Sequence, residues 1–127
     1  MSPRLLLVDD EDAIRTIATI SLERIGGWTI ITASSGKAAL EAIQDDGPFD
    51  AVLMDVMMPE LDGPSTLKRM RDDVLPSHVP VIFLTAKVGQ TERDRLLSLG
   101  ASGVIAKPFD PMTLPEELQH ILDHSPD

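Results

Sequence analysis

The chain has 127 residues, 43% of them hydrophobic and 25% charged, with a formal net charge of −10 and no cysteine. That length suits one compact domain with its own core. The lack of cysteine excludes a disulfide framework and thiolate metal sites, and the acidic balance argues against a nucleic-acid or anionic-membrane surface as partner.

No apolar run approaches the roughly 20 residues that span a bilayer. Met1-Ser2-Pro3-Arg4 leads straight into a short apolar run and not into a secretory signal. The expected compartment is the cytoplasm.

Leu5-Leu6-Leu7-Val8 is a continuous apolar run of strand length. Ile14, Ile17, Ala18, Leu22 and Ile25 follow at three- and four-residue spacing. They predict a helix with these residues on one face, ended by Gly26-Gly27. Trp28-Thr29-Ile30-Ile31-Thr32 is more mixed, as an edge strand can be. After a turn at Ser34-Ser35-Gly36, Ala39, Leu40 and Ile43 mark a second helix, and Asp45-Asp46-Gly47-Pro48 reads as a loop. Ala51-Val52-Leu53-Met54 is a third strand. Pro64 opens a third helix at its first turn, with Leu67 and Met70 facing inward. Val81-Ile82-Phe83-Leu84 is the fourth strand, and Leu96, Leu97 and Leu99 belong to a helix stopped near Gly100. Gly103-Val104-Ile105-Ala106 is the fifth strand, followed by a loop at Asp110-Pro111. Leu114, Leu118, Ile121 and Leu122 then form a last helical stripe, with Pro115 in its first turn.

Strands that are apolar throughout suit burial on both faces. Five β-α units in succession predict an α/β fold, a parallel sheet covered by helices, with right-handed crossovers. The units use nearly the whole chain, so one domain over 1–127 is expected, without a separate output domain. There is no internal repeat, low-complexity segment or linker.

The chemistry gathers at the strand ends. The first strand runs into Asp9-Asp10-Glu11-Asp12, the third ends in Asp55, the fourth in Thr85 and the fifth in Lys107. Open α/β sheets bind ligands outside the carboxyl ends of their strands, near the point where strand order reverses. Neighbouring first, third, fourth and fifth strands would bring these residues into one pocket. Two carboxylates about 4 Å apart repel by roughly 4 kcal/mol at an effective dielectric near 20. A cluster of them therefore raises a pKa or recruits a cation. Oxygen donors alone favour a hard ion, and Mg²⁺ fits, keeping open positions for phosphate oxygens. Ca²⁺ is less expected, because no twelve-residue loop pattern is present. A Thr85 hydroxyl and a Lys107 ammonium can stabilise charge on a transferring phosphoryl group. Asp55, alone in its turn, is the better nucleophile for an aspartyl phosphate. Asp9 and Asp10 are the better metal ligands.

Each residue also has a plainer reading. Acids after a strand favour the start of a helix, which is the reading adopted for Glu11 and Asp12. Asp55 could cap a turn, Thr85 a helix, and Lys107 could lie along the surface. Met54, Met57 and Met58 read as packing. His78, His120 and His124 are assigned no role.

Together, Asp9-Asp10, Asp55-Val56-Met57-Met58-Pro59 with Asp62-Gly63, Thr85-Ala86 and Lys107-Pro108-Phe109 resemble the receiver domain of two-component response regulators, from about Leu5 to Leu122. A chain that is all receiver resembles the single-domain, chemotaxis-type members. The resemblance implies a flavodoxin-like, doubly wound (βα)5 sheet in strand order 2-1-3-4-5. It implies that Asp55 accepts a phosphoryl group from the phosphohistidine of a sensor histidine kinase or phosphotransfer protein. Asp10 and Asp55 match direct Mg²⁺ ligands, Asp9 a ligand acting through water, and Met57 the residue whose backbone carbonyl completes the metal site. Lys107 matches the lysine that pairs with the phosphoryl group. Thr85 matches the hydroxyl that reports it, and Ala86 offers its backbone to it. Pro108 matches a proline preceded by a cis bond. The downstream partner, an unknown protein, would dock on the face of the last two helices and last strand.

The sequence departs from the family where a switch aromatic usually stands, three residues before the lysine: Val104 is there, and the chain has no tyrosine. A smaller shift of Thr85 and the following loop is expected as readout, and Met57 and Lys87 should tune phosphate lifetime. Such a domain promotes its own phosphorylation and hydrolysis and turns over no external substrate. Three alternatives remain. An aspartyl-nucleophile phosphatase would place an Asp-x-Asp pattern after the first strand, where Asp9 and Asp10 are adjacent. A flavin or nucleotide carrier would need a Gly- or Ser/Thr-rich loop in place of the four acids. A receiver-like module that takes no phosphate would not need the complete set.

Overall fold

The computed structural model describes residues 2–87 and 89–124. Strands β1 (Arg4–Val8), β2 (Thr29–Ala33), β3 (Ala51–Asp55), β4 (Val81–Thr85) and β5 (Gly103–Ala106) alternate with helices α1 (Asp12–Arg24), α2 (Gly36–Asp46), α3 (Gly63–Arg69), α4 (Gln90–Ser98) and α5 (Leu114–His124). A π-helical turn at Met70–Val74 continues α3. The strands form one sheet in the order β2-β1-β3-β4-β5, every pairing parallel. This is the doubly wound order that the resemblance implied.

The continuous apolar runs follow from this arrangement. Side chains alternate across a strand, so a strand covered on both faces needs apolar residues at every position. Leu5, Leu7, Leu53, Ile82, Leu84 and Ile105 meet Ala18 and Leu22 of α1 and Leu114 and Leu118 of α5. Leu6, Val8, Val52, Met54, Val81 and Phe83 meet Ala39 and Ile43 of α2, Leu67 of α3, Met70 and Leu96 of α4. Each fully buried side chain of this size contributes about 1.5–3 kcal/mol over leaving it in water.

Helix ends follow local chemistry. The Ser35 side chain accepts from Ala38 N–H at the start of α2, and Asp62 accepts from Ser65 N–H at the start of α3, where Pro64 fills the first turn. Gly100, at φ 109°, ends α4: its N–H bonds the Leu97 carbonyl and Ala101 N–H that of Leu96. The Lys107–Pro108 bond is cis, as the resemblance implied, and so is Gly47–Pro48.

Some expectations change. In α1, Ile17 and Ile25 are 43% and 51% exposed, while Ala18, Ser21 and Leu22 are buried. Ile17 lies about a quarter-turn away from that stripe, and Ile25 is the C-cap residue, outside the last helical turn. In α4 only Leu96 is buried, with Leu97 and Leu99 exposed, since consecutive helical positions turn by about 100°. Asp45 and Asp46 belong to α2, so the following loop starts at Gly47. The second strand runs one residue further, to Ala33, and begins after Trp28. No helix among the described residues is long and apolar enough to cross a membrane.

Candidate functional site: an acidic pocket at the sheet's carboxyl edge

Strand register brings the polar residues together. Val8 pairs with Met54, Asp55 with Leu84 and Thr85 with Ala106. Asp9 and Lys107 are the residues just past β1 and β5, whereas Asp55 and Thr85 end β3 and β4. The four therefore emerge side by side at the reversal of strand order, between β1 and β3 and their neighbours.

Asp9, Asp10 and Asp55 offer carboxylate oxygens that all lie within 4.8 Å of one another. Asp9 and Asp55 are buried and Asp10 is exposed. The Lys107 ammonium stands 2.8 Å from Asp9 Oδ2 and 3.2 Å from Asp55 Oδ2, so one cation bridges two of the three acids. Asp9 is held from the other side, where its Oδ1 accepts from Glu11 N–H at 2.9 Å. The β3–α3 connection closes against the strand end, with Gly63 N–H donating to the Val56 carbonyl at 2.9 Å. A Cβ on Gly63 would lie 2.5 Å from the Asp55 carbonyl oxygen, so no larger residue fits without a shift.

The electrostatics express this crowding. Burial, and then the nearby Asp9 charge, push the Asp55 carboxyl above its ordinary value of 3.8, against the opposing pull of Lys107 and the Met57 backbone N–H. Burial works against the Lys107 ammonium, yet its contacts with Asp9 and then Asp55 outweigh that and hold it above the usual lysine range. Each group is thus tuned by the others.

The donor set fits a hard divalent ion. All three side chains supply oxygen, with neither nitrogen nor sulfur among them. Asp9 Oδ2 is buried and makes no aligned hydrogen bond among the described residues, although Lys107 is close in charge. An oxygen left in that state gains from a cation. Mg²⁺, which takes one or two carboxylates and keeps open positions, matches these ligands.

Thr85 lies at the edge of the pocket with its hydroxyl engaged locally. Oγ1 accepts from Lys87 N–H at 3.0 Å and lies 3.3 Å from the Lys87 carbonyl. Ala86, next in the chain, is exposed, and so is the Met57 side chain, at 77%. Val104, half-buried on β5, lines a groove beside α4 and α5. Two residues escape a reading of the sequence. Glu11, taken as a solvated helix start, is largely exposed, yet its Oε1 comes within 3.9 Å of Lys107 Nζ. Arg15 Nη1 donates to the Asp9 carbonyl at 2.7 Å and also pairs with Asp12. The three-residue spacing of Asp12 and Arg15 was the available signal.

Comparison with known proteins agrees with this geometry. A family model described as the response regulator receiver domain matches residues 5–119. The chain is 38% identical over 125 residues to the alkaline phosphatase synthesis transcriptional regulatory protein PhoP of Bacillus subtilis, covering 98% of this chain and 50% of that protein. It is 32% identical over 119 residues to the chemotaxis protein CheY1 of Helicobacter pylori, covering 94% and 96%. The chemotaxis response regulator CheY4 of Vibrio cholerae matches in structure with a TM-score of 0.87 at 30% identity, over 95% of this chain and 99% of that one. The chain spans about half the length of the Bacillus relative and nearly all of the Helicobacter one. It belongs to the response regulator receiver domain family of two-component systems.

Proposed function

We propose that the chain is a Mg²⁺-dependent phosphorylation switch whose phospho-acceptor is Asp55. The observation that carries this reading is the bridge from Lys107 to Asp9 and Asp55, set among three carboxylates within 4.8 Å. Asp10, Asp55 and the Met57 carbonyl would hold the ion directly, with Asp9 in the outer set. When bound, it neutralises the acids and the negative charge of the incoming phosphoryl group.

The chain's own residues do the rest. An Asp55 oxygen attacks phosphorus as the N–P bond of a phosphohistidine breaks, and the electron pair returns to the donor imidazole. Lys107 lies within reach of the Asp55 carboxylate and stabilises charge on the transferring group, with Ala86 N–H as a further donor. The phosphoryl group then competes with the Lys87 carbonyl for the proton of the Thr85 hydroxyl, and the loop after β4 follows. With Val104 in place of an aromatic, the readout is this loop shift and not the turning of a ring. The donor is a sensor histidine kinase or phosphotransfer protein in the cytoplasm, and the downstream protein docks on the α4-β5-α5 face. No external substrate is turned over.

The test is intact-mass analysis after incubation with acetyl phosphate and Mg²⁺. The wild type should gain one phosphoryl group, and Asp55→Asn and chelated samples none. Multiple turnover of phosphate esters would favour an aspartyl phosphatase instead.

A further inference from the structure

Outside the acidic pocket, a second group of metal-ligating side chains lies on α5. His120 and His124 are exposed, four residues apart, with ring centroids 4.3 Å apart and planes inclined by 32°. Residues at i and i+4 share one helix face, the spacing at which two histidines on a helix bind one zinc ion. His124 Nδ1 lies 2.8 Å from the His120 carbonyl oxygen. A carbonyl only accepts, so Nδ1 carries the proton, and Nε2 of the neutral ring keeps its lone pair for a metal. A backbone carbonyl on the other ring nitrogen is the support that metal-binding imidazoles ordinarily have. Glu116 stands four residues before His120, on the same face. It lines a groove with Glu117, His120, Arg93 and Val104, where α4, β5 and α5 meet.

We infer that His120 and His124 bind a divalent first-row transition metal of the zinc, nickel or copper type, with water completing its coordination. Imidazole suits those ions, whereas Mg²⁺ takes oxygen donors. The net charge of −10 draws cations to the surface. The site shares no residue with the aspartate pocket, so the chain sorts two classes of cation into two places, a hard ion among Asp9, Asp10 and Asp55 and an imidazole-seeking ion on α5.

Calorimetric titration of the chain with ZnCl₂, in millimolar Mg²⁺ to occupy the acidic pocket, tests this. One equivalent should bind. H120A and H124A should each weaken binding by about tenfold or more. H78A, which removes the remaining histidine, should change nothing. Electron paramagnetic resonance of the Cu²⁺-loaded chain should show nitrogen couplings from two imidazoles, lost in H120A/H124A. Both positions are exposed on a helix, where alanine is well tolerated, and circular dichroism verifies the fold. If the histidines serve only the negative end of the helix dipole, zinc affinity will be the same in wild type, H120A and H124A. That result, or an absence of nitrogen couplings, overturns the inference.

Discussion

Lys107 is placed closer to Asp9 than to Asp55, at 2.8 Å against 3.2 Å. The nearer partner is also the more deeply buried one, with its side chain at 0% exposure against 6%. Lys107 thus has a structural task independent of any phosphoryl chemistry: it neutralises a carboxylate withdrawn from water.

Lys107→Ala should therefore destabilise the metal-free chain by about 3 kcal/mol, the cost of leaving a buried charge without its partner. Urea unfolding in chelator measures it. In an Asp9→Asn background the same substitution should cost much less, because the stranded charge is gone. Equal costs in both backgrounds would place the contribution of Lys107 elsewhere.

The raised Asp55 pKa sets a pH dependence. In the metal-free protein the folded carboxyl binds its proton more tightly than the unfolded one, whose value is 3.8. Between those two values the native state holds more protons. Stability accordingly falls as pH rises through the folded pKa, and the penalty is complete above it. Asp55→Asn should thus be more stable than wild type at neutral pH in chelator, and the gap should close as pH falls to the unfolded value. Denaturant midpoints across pH measure this.

Mg²⁺ should reverse that penalty. At a concentration tenfold above its dissociation constant, the ion should stabilise the wild type by about 1.4 kcal/mol. Thermal unfolding with and without Mg²⁺ reads the effect. Asp10→Asn and Asp55→Asn should remove most of it, whereas H120A, outside the aspartate cluster, should leave it intact.

Gly63→Ala tests how the proposed acceptor is positioned. The added Cβ would meet the Asp55 carbonyl oxygen at 2.5 Å and Phe83 Cε1 at 2.9 Å. Overpacking of this kind costs about 1–3 kcal/mol. Because the clash falls on the backbone of Asp55, labelling by acetyl phosphate should also slow. Loss of stability with an unchanged labelling rate would show that the loop moves and the acceptor does not.

Thr85→Ala should free the Lys87 amide, which donates to Thr85 Oγ1 at 3.0 Å. Hydrogen exchange at Lys87 should accelerate, while labelling at Asp55 persists. In the wild type, phosphorylation should produce a change at the same amide. An amide indifferent to both would remove Thr85 from the switch.

Much of this was legible in the chain because buried parallel strands need no partner to identify them. Leu5 to Val8 and Val81 to Leu84 are apolar at every position, and the first polar residue after such a run marks the ligand edge of the sheet. Asp9, Thr85 and Lys107 were found on that rule, and Asp55 as the residue directly after an apolar run. Helix faces were less legible. Ile17 looks like a core residue at three- and four-residue spacing, but only the arc of Ala18, Ser21 and Leu22 reaches the sheet. Long-range detail was not legible. The clash that fixes Gly63 depends on how the β3–α3 connection closes. The preference of Lys107 for Asp9 and the approach of Glu11 depend on elements far apart in sequence. So does Arg4, whose guanidinium donates to the carbonyls of Asp46 and Pro48 and lies over the Phe49 ring.

Identification of the phosphorylated side chain tests the central claim most directly. Reduction of the acetyl phosphate-treated chain with borohydride converts an acyl phosphate into an alcohol, and peptide mapping then locates it. Homoserine at position 55, dependent on Mg²⁺, is the predicted result. Modification at Asp9, Asp10 or any other acid, with position 55 unchanged, would contradict the account.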